Sequence, residues 1–197
     1  MTKTRLEAFS DGVIAILITI MVLDLKVPHG SGFAALRPLL PVLLNYALSY
    51  VFLGIYWNNH HHLLHATRKI NGIVLWANLH LLFWLSLVPF VTNWMGETHR
   101  AAGQAPLPTA AYGVVLFASA VAFTILARAI VALEGPDSTV ARALAGDRKG
   151  KGSLLLYAAA IPLAFVRPWI ADLLYVAVAL IWLAPDPRIE KRLNTGA

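Results

Sequence analysis

Polar residues stand directly before the first long apolar run of the chain. Ser10 and Asp11 come just ahead of the run from Val13 to Leu23. An ionised aspartate costs about 2.5–3.5 kcal/mol when it enters the hydrocarbon of a membrane without partners. The pair predicts either a helix cap at these two positions or a partner on another helix. Because residues 6–9 already look helical, we expect a partner, either a cation or an imidazole.

Four histidines cluster where a second apolar segment ends. They are His60, His61, His62 and His65, one turn after Trp57. Neutral imidazoles four residues apart on a helix, as at positions 61 and 65, can bind a metal ion. A membrane metal enzyme needs several such clusters, and no carboxylate lies nearby in the sequence. We therefore expect no metal, no cofactor and no enzymatic activity, and we keep a metal enzyme only as the third alternative.

Polar residues of three segments fall at one predicted membrane depth. His60 and His61 end the second segment, while Trp76 and Asn78 lie near the start of the third. Intramembrane ionisable groups usually pair with one another and mark ion or substrate pathways. We expect one of the two histidines to meet Asp11 or the serine before it, in a polar network that joins the first three helices.

The composition is typical of a polytopic membrane protein. The 197 residues are 58% hydrophobic and 13% charged, and the chain has no cysteine, whereas about a quarter of the residues of soluble domains are charged. The pattern predicts an all-α protein with six transmembrane helices in a single domain over residues 1–197. The last two apolar blocks are short and predict a tight hairpin, or alternatively a re-entrant pair. The six blocks are residues 6–27, 39–63, 72–95, 109–133, 152–166 and 169–184.

Basic residues lie between the apolar blocks and predict the orientation of the chain. With the N-terminus inside, eleven lysines and arginines are cytoplasmic and four are on the other side, and Arg128 lies near the inner end of the fourth helix. This positive-inside bias predicts a multi-pass protein of the cell inner (plasma) membrane, with both termini cytoplasmic. The basic residues form no stripe with interleaved aromatics, so the net charge of +6 does not indicate nucleic-acid binding.

One face of the first helix is apolar in its central part. Ile16, Ile20 and Leu23 follow helical spacing, and Thr19 lies beside them. Such a face can contact lipid or neighbouring helices, and spacing alone favours that simpler interpretation.

Taken together, these residues resemble the prokaryotic relatives of the lysosomal potassium channel transmembrane protein 175. The resemblance covers about residues 3–95, and the remaining helices match in number and length. The motifs that carry it are Arg5-x-x-x-Phe9-Ser10-Asp11-Gly12, Ala15-Ile16, Thr19, Tyr56-Trp57-x-x-His60-His61, Arg68, Leu75-Trp76-x-Asn78 and Val88-Pro89-Phe90-x-Thr92.

The resemblance implies a homotetramer of six-helix subunits whose pore is lined by the first helix. It places the narrowest apolar ring at Ile16, further rings at Ile20 and Leu23, and a polar layer at Thr19. Some relatives have a serine at the position of Ala15, so one hydroxyl layer is missing here. The resemblance also implies a set of polar residues that would support the architecture of the pore: Arg5, Ser10, Asp11, His60 or His61, Trp76 and Asn78.

The implied activity is a potassium-permeable cation channel in the lipid bilayer with modest preference for K⁺ over Na⁺. The chain has no Thr-Val-Gly-Tyr-Gly stretch, so a carbonyl-lined filter of the usual kind is not expected. The alternative is a proton-coupled secondary transporter in which Asp11 and either His60 or His61 relay protons. Helices broken in matching halves, which are typical of transporters, are not evident in the sequence.

Overall fold

The fold is entirely helical in the part of the chain that is described. The computed structural model describes residues 2–30, 32–102, 105–144 and 146–183. Two short 3₁₀ turns, Phe33–Ala35 and Arg37–Leu39, precede the second helix. The helices are α1 (Lys3–Leu23), α2 (Leu40–His65), α3 (Gly72–Ser86), α4 (Val88–Ala102), α5 (Pro106–Glu134), α6 (Thr139–Leu144), α7 (Arg148–Val166) and α8 (Pro168–Leu183).

Helix α1 begins well before the polar pair that precedes the apolar run. The hydroxyl of Thr2 accepts a hydrogen bond from the backbone N–H of Arg5 at 3.4 Å and caps the helix. Ser10 and Asp11 therefore lie inside the helix, about two turns from its start, and the cap at these positions does not form. The helix has 21 residues, a length of about 30 Å, which matches the hydrocarbon core of a bilayer.

The third predicted block, residues 72–95, is two helices rather than one. Helix α3 ends at Ser86 and α4 begins at Val88, with Pro89 in its first turn. Proline has no N–H to donate, and its ring clashes with the carbonyl four residues earlier, so a continuous helix is unfavourable there. Together the two helices still form one apolar segment, Gly72–His99, that is long enough to cross a membrane.

Five segments of the described ranges are long and apolar enough to span a bilayer. Helix α8, with 16 residues, is shorter than these. The protein is a multi-pass helical membrane protein, and the boundaries of the other predicted blocks shift by a few residues. The five segments are Lys3–Leu23, Phe33–His65, Gly72–His99, Pro106–Glu134 and Arg148–Val166.

Helices α7 and α8 form a hairpin with Arg167 as the single residue between them. The indole N–H of Trp182, near the end of α8, donates to Ser153 near the start of α7 at 2.8 Å, so the two helices are antiparallel. Helix α7 continues through Pro162. The segment between the fourth and fifth predicted blocks contains the short helix α6, which the sequence does not predict. The charged stretch at residues 186–197 lies outside the described residues.

Helix α5 is the centre of the subunit and packs mainly on α3 and α7. Helix α2 packs on α4, and α1 contacts α2, α3 and α4. The acidic end of α5 also holds the loop between α2 and α3, because Glu134 accepts the backbone N–H groups of Arg68 and Lys69 at 2.7 and 2.8 Å. The ends of α2 and α3 that carry the predicted polar residues are therefore fixed in relation to one another.

A close approach of α5 and α8 requires glycine at position 113. Tyr175 of α8 is buried, donates its hydroxyl to the carbonyl of Thr109 at 3.0 Å, and contacts Gly113 directly. A Cβ atom at Gly113 would overlap the Tyr175 hydroxyl. The helix pair can tolerate this only by moving apart or by breaking that hydrogen bond.

We expect Gly113→Ala to destabilise the purified protein by about 1–3 kcal/mol, as overpacking of a dense core usually does. The measurement is thermal unfolding in detergent, where the melting temperature should fall. The matched control is Gly54→Ala on α2, where a Cβ atom meets nothing within 4 Å. Equal melting temperatures for the two variants would contradict this account of the α5–α8 contact.

Candidate pore helix and its polar network

A buried chain of hydrogen bonds connects α1, α2 and α3. The Ser10 hydroxyl donates to the carbonyl of Leu6 at 2.9 Å and accepts from Asn78 Nδ2 at 2.9 Å. Asn78 Oδ1 lies 2.7 Å from His60 Nε2. We call Ser10, Asn78 and His60 the Ser10 network; all three side chains are almost completely buried.

The direction of each bond in the Ser10 network follows from the first one. Because the Ser10 hydroxyl gives its proton to Leu6, it must accept from the amide nitrogen of Asn78. The amide oxygen of Asn78 is then an acceptor, so His60 Nε2 donates to it. Each donor and acceptor of the Ser10 network therefore has a single role, and this stabilises one arrangement of the three helices.

Asp11 has a different partner from the one predicted. The indole Nε1–H of Trp57 donates to Asp11 Oδ1 at 3.1 Å, so the partner is neither a cation nor an imidazole. Among the described residues, no hydrogen bond joins His60 to Asp11, and the Nε2 atom of His60 is bonded to Asn78. The histidine and the aspartate thus belong to two neighbouring hydrogen-bonded groups on the same side of α2.

Two residues that the resemblance assigns to the polar network, and the alternative histidine, lie outside it in this subunit. Trp76 is 75% exposed, since it precedes Asn78 by two residues and so points to the opposite side of α3. The Arg5 side chain is exposed, and its guanidinium makes no ion pair among the described residues. His61 is also exposed and stacks on Trp57, with ring centroids 6.0 Å apart.

Helix α1 presents one face to the subunit and leaves the other open. The residues that face the subunit are Leu6, Ser10, Ile14, Leu17 and Met21. On the open side, Ile16 is 57%, Ile20 43% and Leu23 81% exposed, and Thr19 is exposed between them. We call Ile16, Thr19, Ile20 and Leu23 the α1 stripe.

Thr19 is the only hydroxyl of the α1 stripe. Its Oγ1–H donates to the carbonyl of Ile16 at 2.9 Å, within the helix. This bond satisfies the hydroxyl proton locally, so the helix stays apolar along its open side and no partner from another helix is required.

A second buried polar group was not predicted from the sequence. Thr92 of α4 donates its hydroxyl to the carbonyl of Val88 at 2.7 Å, so it accepts from Ser49 of α2 at 2.6 Å. Ser49 is also bonded to Tyr112 of α5 at 2.8 Å. The three residues are buried and connect α2 to α4 and α5, two helices that the Ser10 network does not reach. The three residues are far apart in the sequence and form no motif. Only the general tendency of membrane helices to form buried hydrogen bonds with one another could have suggested the group.

These features define a class of protein: a multi-pass helical membrane protein whose first helix is fixed by polar bonds on one side and open on the other. Comparisons with known proteins identify the family. The sequence profile described as "Endosomal/lysosomal potassium channel TMEM175" matches residues 5–89. A potassium channel of Chryseobacterium sp. strain P1-3 is 54% identical over 194 residues, which cover 98% of this chain and 99% of that protein.

A solved structure and a vertebrate relative agree with this assignment. The crystal structure of a lysosomal potassium-selective channel TMEM175 homologue from Chamaesiphon minutus is 27% identical with a TM-score of 0.81, covering 92% of this chain and 96% of that one. The human endosomal/lysosomal proton channel TMEM175 is 38% identical over 96 residues, 42% of this chain and 19% of that protein. The chain belongs to the TMEM175 family, as the resemblance of residues 3–95 predicts.

We expect Asn78→Ala to lower the melting temperature of the purified protein. The substitution leaves the buried N–H of His60 without an acceptor, which costs about 1–3 kcal/mol. Asn58→Ala, an exposed position on α2, is the control and should unfold within the error of the native protein. If the two alanine variants unfold at the same temperature, the Ser10 network does not stabilise the fold.

Proposed function

We propose that the chain forms a potassium-permeable cation channel in which copies of α1 surround a common axis. The observation that carries this proposal is the α1 stripe. Its apolar side chains are exposed in the subunit, while the opposite face of the same helix is held by buried residues and by Ser10. The relatives named potassium channels, one of them similar over almost its whole length, favour K⁺ as a permeant ion.

The assembly we propose is a homotetramer of single-domain subunits, each with six transmembrane helices. Helix α8 would be the sixth span, and its hairpin with α7 favours a crossing over a re-entrant loop. The α1 stripe is open in a single subunit, and this supports a pore that is completed by other copies of the chain. Four copies follow from the resemblance. We place the assembly in the plasma membrane, with both termini cytoplasmic.

The constriction is a ring of Ile16 side chains, with further rings at Ile20 and Leu23. An apolar ring offers an ion nothing in place of its water, so it discriminates by the free energy of dehydration. K⁺ gives up its water more readily than Na⁺, which predicts modest selectivity, passage of larger alkali ions and exclusion of divalent ions. The Thr19 hydroxyl oxygens lie one residue from Ile20 and partly compensate for the lost hydration.

The contacts favour a channel over the proton-coupled transporter. In the described structure Asp11 is bonded to Trp57 and His60 to Asn78, so the carboxylate and the imidazole are not directly joined. A proton relay between them would need a rearrangement of these side chains or a bridging water. Because vertebrate relatives are named proton channels, proton flux belongs in the same assay as K⁺ and Na⁺ flux.

We expect Ile16→Asn to raise cation flux into liposomes and to reduce the preference for K⁺ over Na⁺, because four amides at the constriction would hydrate a passing ion. The control is Leu155→Asn on α7, which is 72% exposed and adds the same amide far from α1. Leu155→Asn should leave both quantities unchanged. Unchanged flux and preference in Ile16→Asn would argue against Ile16 as the constriction.

We expect Asp11→Ala to lower the tetrameric fraction of the purified protein more than it alters ion preference. The substitution removes the acceptor of the Trp57 bond but does not touch the α1 stripe. Mass measurements of the detergent-solubilised assembly and the flux assay give the two readouts. Asp24→Ala, at the exposed C-terminal end of α1, is the control. A stable tetramer with altered ion selectivity would show that Asp11 acts on selectivity and not on assembly.

A further inference from the structure

An exposed row of rings runs along the last turns of α2. Trp57, His61 and His65 follow one another at intervals of four residues, and we call them the histidine ridge. The ring centroids of Trp57 and His61 are 6.0 Å apart at 28°, and those of His61 and His65 are 6.0 Å apart at 19°. The two imidazoles are therefore nearly parallel neighbours on a rigid helix, and both are exposed.

The geometry points to a binding site for one divalent transition-metal ion between His61 and His65, coupled to α1 through Trp57. A bound ion needs ligand nitrogens at about 2.0–2.1 Å, and two neutral imidazoles one turn apart can supply them after small side-chain rotations. The neighbouring histidines are less suited. His60 is buried and bonded to Asn78, and the ring of His62 stands at 67° to that of His61.

Imidazole ligands determine the class of ion. They suit Cu²⁺, Ni²⁺ and Zn²⁺, whereas Mg²⁺ and Ca²⁺ prefer oxygen ligands. Within the described ranges, no three histidine, cysteine or acidic residues are grouped to hold a metal, so water completes the coordination and the ion exchanges readily. A positive charge also lies beside the proposed site. The Lys3 ammonium group donates to the backbone carbonyl of His65 at 2.8 Å, and the carboxylate of Glu7, 3.7 Å away, balances its charge.

The histidine ridge is connected to the proposed pore helix. Trp57 stacks on His61 and at the same time donates its indole N–H to Asp11 of α1 at 3.1 Å. An ion that draws His61 towards His65 changes the packing under Trp57, and this side chain is the direct contact with α1. A metal ion at the ridge would thereby hold α1 in one position and slow conduction, a consequence that rests on the proposed channel function.

The binding test uses the full chain without a polyhistidine tag, in lipid nanodiscs, titrated with Ni²⁺ by calorimetry. We expect one ion per chain, and loss of affinity by about tenfold or more in His61→Ala and in His65→Ala. His62→Ala, at another exposed histidine one position away, should bind as the native protein does. Undiminished Ni²⁺ affinity in His61→Ala, or an equal loss of affinity in His62→Ala, would refute the proposed metal site.

The coupling test measures K⁺ flux in liposomes with Ni²⁺ or with EDTA, each variant compared with its own metal-free flux. We expect saturating Ni²⁺ to lower native flux by about twofold or more, and to have no effect on His61→Ala. Trp57→Phe, which lacks the bond to Asp11, should bind Ni²⁺ but lose most of the inhibition. Full inhibition of His61→Ala would overturn the coupling. A protein that binds Ni²⁺ but never conducts K⁺ would refute the channel and not the site.

Discussion

Two buried hydrogen bonds, from His60 to Asn78 and from Asn78 to Ser10, set the orientation of α1 against α2 and α3. They form a buried chain in an apolar protein, and each donor and acceptor has one role. Hydrogen bonds between helices are among the forces that hold membrane helices together, because lipid is as apolar as leucine and apolar burial adds little. These hydrogen bonds determine which face of α1 packs on α2 and α3, and so they also determine which face of α1 stays open.

The open face of α1 is the feature on which the proposed assembly of several subunits rests. The α1 stripe is apolar and would be stable in lipid, so its exposure alone does not indicate a pore. The combination with a polar start to the same helix is more informative, since Ser10 and Asp11 are bonded on the opposite side and Arg5 remains exposed. Membership of the TMEM175 family makes ion conduction the function that these features serve.

Much of the fold could be predicted from the sequence, and each prediction that failed has a physical cause. Long apolar blocks predicted the spans well because bilayer thickness determines their length. The break at Pro89 was missed because hydropathy continues unchanged through it, although the missing N–H interrupts the helix. The family motif indicated the residues around Ser10, but it could not show that Asp11 binds Trp57. That contact depends on the rotation of α2, which no local pattern specifies, and the same is true of the outward direction of Trp76.

The bond from Thr19 to the carbonyl of Ile16 has a consequence for the sign of charge that a pore can carry. With its proton committed to the backbone, the hydroxyl turns only lone pairs towards the axis of a pore lined by α1. In the proposed pore, a ring of such oxygens would solvate a positive ion and would give chloride no hydrogen to bind. Selection against anions would then need no acidic side chain at the narrow part of the pathway.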